Sequence, residues 1–576
     1  TGGVEFIQTD ISVPGNNALA VSVGRRYSTG AKRIDTGHFG DWDLDIPHIK
    51  GVFSRTNGWD VEAAYGVAAN RYKRCSLISP PADALTQTRQ AVVDAQEFWL
   101  GTTLYLPGAG EQPLLQRTPD GMSTPSDGQV YPAVTKAGWV LKCVAAVQGG
   151  EGFVAVSPDG TSYRFDWLVY RNHPSYQFTI GGGGGLVASP TKAFRASAES
   201  LRVGGNDVAI GQILERSEYF LFPTSVTDRF GNTVTYQYNP AIPWQLIRIA
   251  ASDGREITLS YVTGTRQIQS VAQAGRVWTY AYDATGKTLA TVTQPDSSRW
   301  TFSGASLQLN PAYTPGGAPV TCLQTGYFNA NPTVRTMTHP NGARGDFTVS
   351  QVLRGRSYVM PSCPTASGVM ANFYPVHYLA LALTAKTISG PGLSPQTWSY
   401  TYGPPNGSVS PCTNCPDTVT LDVQDPRGFT TRYTHSNRWE LSEGQLLRVD
   451  EGFSSGAAVR TTTHHYRAAG AGPYPLAAGA VFFGRGDAVV ASRNAPLDEK
   501  LITQQGATFT WQATAFDTRA RPTAVSQFSS LGHSRTELTS YFDLPTKWVM
   551  GQRASTTVAG IESQRTAYDP TTGLPT

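Results

Sequence analysis

One hairpin pattern recurs along this 576-residue chain and limits the folds that it can adopt. Each copy places a turn of Asp, Gly, Asn or Ser before a strand in which β-branched or aromatic residues alternate with polar ones. The clearest copies span 226–238, 251–261, 272–283 and 295–304. The turn glycines of the first three are Gly231, Gly254 and Gly275, spaced by 23 and 21 residues. Glycine there can adopt the positive φ that a tight hairpin needs.

The strands after these turns carry aromatic residues at recurring positions: Tyr236, Tyr238, Tyr261, Tyr280 and Tyr282, the last followed by Asp283. A second array lies near the C-terminus, where Phe516-Asp517, Phe542-Asp543 and Tyr568-Asp569 are spaced by 26 residues each. One hairpin cannot bury the apolar face that such alternation creates, whereas stacked hairpins bury a continuous one. The repeats therefore predict an all-β fold in which a long antiparallel sheet grows strand by strand and then curls, closes or spirals.

Composition agrees with a turn-rich β protein and narrows the classes of partner. Charged residues are only 15% of the chain, while 59 Gly and 38 Pro supply turns. Hydrophobic residues at 40% are enough to form a core, which argues against general disorder. The formal net charge is +4 and no basic tract of five or more residues occurs, so nucleic acid is not an expected partner.

The cysteines bear on the compartment of the protein. Six are present, an even number that suits an oxidising, extracytoplasmic environment, although free thiols remain an alternative. Cys412 and Cys415 form the closest pair and are a candidate loop disulfide; no second pair or His set stands nearby at metal-ligand spacing, so we expect neither a metal nor another cofactor. No apolar run reaches the ~20 residues of a membrane-spanning helix.

The Gly-Arg and Gly-Asn turns, Thr-rich strands and aromatic-Asp dipeptides resemble the YD repeats of the RHS family. This family includes bacterial polymorphic toxins, shell proteins of insecticidal toxin complexes and animal teneurins. Segments 10–47 and 159–236 are similar to the N-terminal part and repeat entry of large secreted bacterial RHS proteins. The resemblance implies a spiral β-sheet that forms a hollow shell, or part of one, around a C-terminal polypeptide or toxin. It also implies a secreted or cell-surface location.

Other features of that family are missing. Its C-terminal core motif and toxin domain are not found, and the sequence ends within a repeat at 566–576, so no catalytic residue is transferred from the resemblance.

The pattern divides the chain into five predicted regions. These are a β-rich N-terminal module (1–110), strands leading into the repeats (111–225), YD repeats (226–310), a looped region with several cysteines (311–425) and further repeats (426–576).

Three hypotheses for function follow from the sequence. The first is a structural, non-catalytic shell segment that encloses and helps deliver a C-terminal toxin or effector. The second is an extracellular adhesion or glycan-binding repeat protein that contacts a target-cell surface. The third is a polysaccharide hydrolase or lyase; it depends only on Asp41, Asp43 and Asp45, which alternate beside Trp42 and could form paired carboxylates. The first makes the chain a non-enzyme, and it is the one that the repeats favour.

Overall fold

The computed structural model describes residues 3–29, 34–59, 61–64, 67–70, 72–87, 92–93, 95–180, 202–203, 206–207, 210–307, 332–360, 376–482 and 486–576. Within these ranges the chain is almost entirely antiparallel β-structure, as the repeats predict. The helices of the described residues are short: α1 (Ala95–Phe98) and α2 (Gly486–Ser492). One long sheet contains most of the strands, so the predicted all-β architecture is confirmed.

The chain begins with a small sheet of three strands in the order β1-β2-β3: β1 (Glu5–Ser12), β2 (Ser22–Ser28) and β3 (Asp43–Leu44). Three separate two-stranded pairs occur further along: β5 (Val61–Ala64) with β6 (Val67–Asn70), β7 (Ala84–Leu85) with β8 (Val92–Val93), and β16 (Arg202–Val203) with β17 (Asn206–Asp207).

The next strands surround a first hydrophobic core. They are β4 (His48–Ser54), β9 (Thr103–Leu106), β10 (Gly110–Pro113), β11 (Leu115–Gln116), β12 (Ala133–Val134), β13 (Val140–Ala145), β14 (Glu151–Val156), β15 (Ser162–Ile180) and β18 (Ile210–Thr227). Pairing runs from β4 through β9 to β10, and from β11 through β15 to β18, which pairs with β4. Only one residue separates β10 from β11, and the two together act as one strand that pairs with β9 on one side and β12 on the other. These strands therefore form a closed ring.

The long strand β18 is the branch point of the sheet. Its residues 216–221 pair with β4, whereas 225–227 pair with the first repeat strand. From there the repeats run as successive antiparallel neighbours: β19 (Thr233–Tyr238), β20 (Leu246–Ala251), β21 (Glu256–Tyr261), β22 (Ile268–Gln273), β23 (Arg276–Tyr282), β24 (Leu289–Thr293), β25 (Arg299–Gly304), β26 (Thr333–Thr338) and β27 (Arg344–Gly355).

The sheet then continues with each strand paired to the next strand in the chain. Its remaining strands are β28 (His377–Gly390), β29 (Leu393–Tyr402), β30 (Thr418–Gln424), β31 (Thr430–Ser436), β32 (Leu446–Glu451), β33 (Arg460–Tyr466), β34 (Leu497–Gln504), β35 (Ala507–Phe516), β36 (Pro522–Ser529), β37 (Ser534–Leu544), β38 (Val549–Val558) and β39 (Ile561–Arg565).

The end of the array returns to the ring where it started. Val549 forms an isolated bridge with Asp159, and the indole of Trp548 donates a hydrogen bond to the carbonyl of Gly138 at 2.8 Å. Ala480, in the loop between β33 and β34, pairs with Gln116 of β11. The sheet is therefore curved enough for its late strands to pack against its early ones. The five predicted regions stay a prediction, since continuous pairing does not separate them.

Candidate functional site: the tyrosine face of the repeat sheet

The predicted turn glycines and tyrosines lie in equivalent places of successive hairpins. Gly231, Gly254 and Gly275 occupy turns with φ of 88°, 88° and 79°, in the region that disfavours a side chain. Tyr238, Tyr261 and Tyr282 end the strands that follow. Their hydroxyls donate to the carbonyls of Pro223, Leu246 and Ile268 at 2.9, 2.9 and 2.6 Å. We call the side of the sheet that carries these tyrosines the tyrosine face.

The same hydrogen bond recurs further along the chain, at Tyr568, which the sequence pattern singles out, and at three other tyrosines. The hydroxyls of Tyr402, Tyr466 and Tyr541 donate to the carbonyls of Leu383, Leu446 and Pro522 at 2.9, 3.1 and 3.2 Å, and Tyr568 donates to Arg553 at 3.0 Å. Each bond runs from the second strand of a hairpin, or from the residues directly after it, back to the first strand of the same hairpin. The missed tyrosines share one signal, a Tyr at the end of a Thr- or Ser-bearing strand, as in TYTY, THHY and TSY.

The aspartates of the aromatic-Asp dipeptides close the hairpin turns. Asp283 accepts from the backbone N–H groups of Lys287 and Thr288 at 2.8 and 3.1 Å. Asp517 accepts from Arg519 and Arg521 at 2.9 and 3.0 Å, and Asp569 from Thr571 and Thr572 at 2.9 and 2.6 Å. Asp543 instead accepts from the N–H of Gly551 at 2.6 Å and binds the Arg521 side chain. These carboxylates have structural partners within the repeat.

The two remaining predicted tyrosines differ from the turn tyrosines. Tyr280 donates its hydroxyl to the carboxylate of Asp10 at 2.9 Å, which connects β23 to the N-terminal sheet. Tyr236 lines a cavity of about 520 Å³ between the N-terminal strands, β18 and β38. Burial raises the pKa of both phenols, so both stay neutral.

The N-terminal segment, residues 3–29 and 34–47, covers the tyrosine face of the early repeats. Its Phe39, Trp42 and Leu44 are buried in one core with Ile249, Val271 and other apolar residues of β18–β27. The indole of Trp42 packs edge-on against Phe302 with ring centroids 5.3 Å apart. This core continues as far as Val349, with Leu381 and Leu383 of β28 at its border.

The three carboxylates beside Trp42 have separate partners. Asp41 pairs with Arg335 at 3.3 Å, Asp43 with Arg171 at 2.9 Å, and Asp45 accepts from the hydroxyl of Tyr105 at 2.6 Å. Burial raises the pKa of Asp41 and of Asp45, although Arg335 and Tyr105 act against that rise. Asp41 and Asp43 therefore fasten the segment to arginines of the sheet, so each of the three carboxylates has a structural partner.

Beyond β28 the tyrosine face continues without this cover. Directly opposed residues follow one row across eight strands: Tyr402, Leu421, Tyr433, Val449, Thr462, Ile502, Phe509 and Ser529. Opposed residues share a face of a sheet, so this row stays on the tyrosine face. Phe509 is 43% exposed, and Tyr402 and Tyr433 are half-buried. The later repeats thus present a partly exposed face, except where Tyr474 of the loop between β33 and β34 packs on Ala513 and Trp511.

The candidate disulfide and metal residues can also be placed. Disulfides join Cys412 to Cys415 and Cys75 to Cys143, whereas Cys322 and Cys363 lie outside the described residues. Within the described ranges no group of three or more His, Cys, Asp or Glu is arranged to hold a metal ion. No helix in that part of the chain is long and apolar enough to cross a membrane.

Comparison with known proteins gives weak matches. No family model matches the chain, and no curated protein does. A crystal structure of TcdB2-TccC3 without its hypervariable C-terminal region matches with a TM-score of 0.19 at 11% identity, over 84% of this chain and 24% of that one. TcdB2-TccC3 itself gives 0.17 at 10% identity over 98% and 28%, and the Photorhabdus luminescens Tc holotoxin pore gives 0.16 at 9% over 78% and 26%. The chain spans about a quarter of the length of these structures.

Proposed function

We propose that this chain is a structural, non-catalytic part of a β-shell whose tyrosine face encloses a polypeptide. One observation carries the proposal: the face is buried under the N-terminal segment along β19–β27, whereas along β29–β36 it lacks that cover and Phe509 is 43% exposed. Soluble proteins rarely leave a long aromatic strip exposed, because its burial against a partner is favourable. The partner of a surface this long is a chain segment rather than a small molecule.

The N-terminal segment supports this proposal because it is already a polypeptide bound to the same face. It contributes aromatic side chains to the sheet core and carboxylates to sheet arginines. The return of β38 to the ring supports the other half of the proposal, since a sheet that curves back on itself has one side facing inward. The recurring tyrosine and aspartate hydrogen bonds stabilise the hairpins of that curved sheet.

The nature of the enclosed chain and its location belong to the same proposal. The resemblance to YD repeats suggests a C-terminal toxin or effector as the enclosed polypeptide. The Cys75–Cys143 and Cys412–Cys415 disulfides favour a secreted or cell-surface protein, because disulfides persist mainly in oxidising compartments.

Enclosure can be tested by thiol accessibility on the two faces of one strand. Gln527 lies on the tyrosine face opposite Trp511, and its neighbour Ser526 lies on the other face. We would prepare Gln527→Cys and Ser526→Cys in the full chain and treat each with a small maleimide and with a maleimide on a polyethylene glycol of several kilodaltons. The wild-type chain gives the background from native cysteines.

Enclosure predicts that the small reagent labels both variants, whereas the large reagent labels Ser526→Cys alone. Equal labelling of both positions by the large reagent would show that the tyrosine face is open to macromolecules, and would overturn the proposal. Denaturation must restore labelling of Gln527→Cys by the large reagent, which confirms that protection comes from the fold.

A further inference from the structure

A groove of about 610 Å³ crosses the uncovered part of the tyrosine face between β34 and β37. Its floor is formed by Ile502, Phe509 and Trp511, which belong to adjacent strands. Lys500 and Arg535 stand at its two sides in register with Trp511, through the pairs Lys500–Trp511, Trp511–Gln527 and Gln527–Arg535. The groove therefore combines an aromatic floor with one cation on each side.

These two cations lack acidic partners. Within the part of the chain that the structure describes, neither Lys500 nor Arg535 forms an ion pair, and Arg535 donates only to the side-chain amide of Gln527 at 3.0 Å. The residues that line the groove include no carboxylate. The nearest acid along β37 on this face, Glu537, lies opposite Val525 and outside the lining. The groove thus offers uncompensated positive charge beside apolar surface.

The N-terminal segment shows what chemistry such a surface takes on this sheet. There, Trp42 packs on the tyrosine face between Asp41 and Asp43, and these carboxylates pair with Arg335 and Arg171 at 3.3 and 2.9 Å. The groove offers a ligand the same types of group, aromatic side chains and two cations, with the cations on β34 and β37 in place of β15 and β26.

We propose that the groove binds an acidic peptide segment with an aromatic residue between its carboxylates, and that this segment belongs to the polypeptide enclosed by the shell. The aromatic side chain would stack on Trp511 and Phe509, and the carboxylates would pair with Lys500 and Arg535. The assignment of the peptide to an enclosed chain rests on the proposed function; the chemistry of the groove does not.

The probe is a synthetic nine-residue peptide with the sequence of residues 39–47, FGDWDLDIP, carrying an N-terminal maleimide. A second peptide has Asn in place of its three Asp residues and serves as the matched control. Both are applied to the full chain with Gln527→Cys, where the thiol lies in the groove between Trp511 and Arg535, and the labelling rate is measured. Peptide binding concentrates the maleimide near the thiol, so affinity appears as rate.

We expect the acidic peptide to label at least about tenfold faster than the Asn peptide, because two exposed ion pairs together contribute about that factor. Adding Lys500→Gln and Arg535→Gln should remove the difference. Arg427→Gln, which removes a cation whose side chain is 83% exposed at a distant turn, should leave it unchanged.

Equal rates for the two peptides on Gln527→Cys, including no labelling by either, would overturn the groove assignment. A preference for the acidic peptide that survives loss of both cations would overturn it as well. Neither result depends on the experiment with the large maleimide. The groove assignment and the enclosure proposal can therefore fail independently of each other. If the acidic peptide is preferred but the large maleimide also labels Gln527→Cys freely, the groove binds acidic peptides, and the proposal that the peptide belongs to an enclosed polypeptide is rejected.

Discussion

The guanidinium of Arg521 forms two hydrogen bonds with the carboxylate of Asp543, at 2.9 and 2.8 Å, and so joins two successive copies of the C-terminal repeat. Arg521 also binds Asp517 of its own turn at 2.7 Å. Asp543 accepts from the Gly551 N–H as well. The first two of the three aromatic-Asp dipeptides, Phe516-Asp517 and Phe542-Asp543, are therefore connected to each other through one arginine.

This pair predicts a loss of stability in acid. Burial alone would raise the pKa of Asp543, but hydrogen bonds from Arg521 and Gly551 lower it below the ordinary 3.8. A lowered carboxyl pKa contributes stability that is present above the unfolded pKa and is lost as pH falls through the folded one. We expect Asp543→Asn to show a flatter pH dependence than wild type below about pH 4 in urea unfolding.

The comparison variant for this prediction is Asp425→Asn, which should flatten the acid dependence as well, because the hydrogen bond from Arg427 lowers the pKa of Asp425. Asp425 closes an earlier turn through its own Arg427, without a bond between repeats. A double-mutant cycle of Arg521→Met and Asp543→Asn should give a coupling of about 0.5–2 kcal/mol. A coupling near zero would show that the two residues are neighbours without an energetic connection.

The recurring tyrosine bond predicts a small, repeatable cost when it is removed. Tyr261→Phe deletes the hydroxyl that donates to the Leu246 carbonyl at 2.9 Å and leaves the ring in place. We expect the free energy of unfolding to fall by about 1 kcal/mol, the usual net value of one hydrogen bond plus part of the cost of an unsatisfied carbonyl.

Tyr170→Phe is the control for that measurement, because Tyr170 is 58% exposed and lies outside the turn positions. It should change the free energy of unfolding by less than about 0.5 kcal/mol. Equal effects of the two substitutions would mean that the Tyr261 hydroxyl adds nothing to the free energy of unfolding beyond what the aromatic ring contributes.

The attachment of the N-terminal segment depends on Arg171. This buried side chain pairs with Asp43 at 2.9 Å and with Glu218 at 2.7 Å. Arg171→Met would remove the cation that both carboxylates share, and breaking a buried pair in this way typically costs about 3–5 kcal/mol. We expect faster amide hydrogen exchange in residues 39–46 of this variant.

Arg248→Met tests whether any lost ion pair has this effect. Arg248 pairs with Glu256 on the solvent side of the early repeats, where both side chains are about 40% exposed. Amide hydrogen exchange in residues 39–46 should be unchanged in Arg248→Met. Unchanged exchange in Arg171→Met too would show that apolar packing alone holds the segment.

The sequence could predict the parts of this fold that repeat. Gly231, Gly254 and Gly275 and the tyrosines after them share a spacing, and a shared spacing implies stacked hairpins. It could not predict that Asp41 and Asp43 bind Arg335 and Arg171, because those partners lie more than 100 residues away and neither belongs to the pattern. It also could not locate the groove, since Lys500, Trp511 and Arg535 meet only through the register of four strands.

A buried histidine in the N-terminal segment makes stability depend on pH nearer neutrality. His38 lies between Phe222 and Trp244, and its Nε2–H donates to the Trp244 carbonyl at 3.1 Å. Burial lowers its pKa to about 4 from the ordinary 6.5; Asp43 opposes this, and Arg171 and Arg266 add to it. The unfolded chain therefore binds one more proton than the folded chain between pH 6.5 and 4, and stability falls as pH falls through that window.

His38→Gln keeps a side-chain N–H donor but cannot titrate. We expect urea unfolding, followed by tryptophan fluorescence, to lose up to about 3 kcal/mol between pH 7 and pH 4 from His38 in wild type and to lose correspondingly less in the variant. His48 is buried as well, with its pKa lowered to about 3, and it keeps part of the slope in both proteins. An identical slope in the two proteins would show that folding does not lower the pKa of His38.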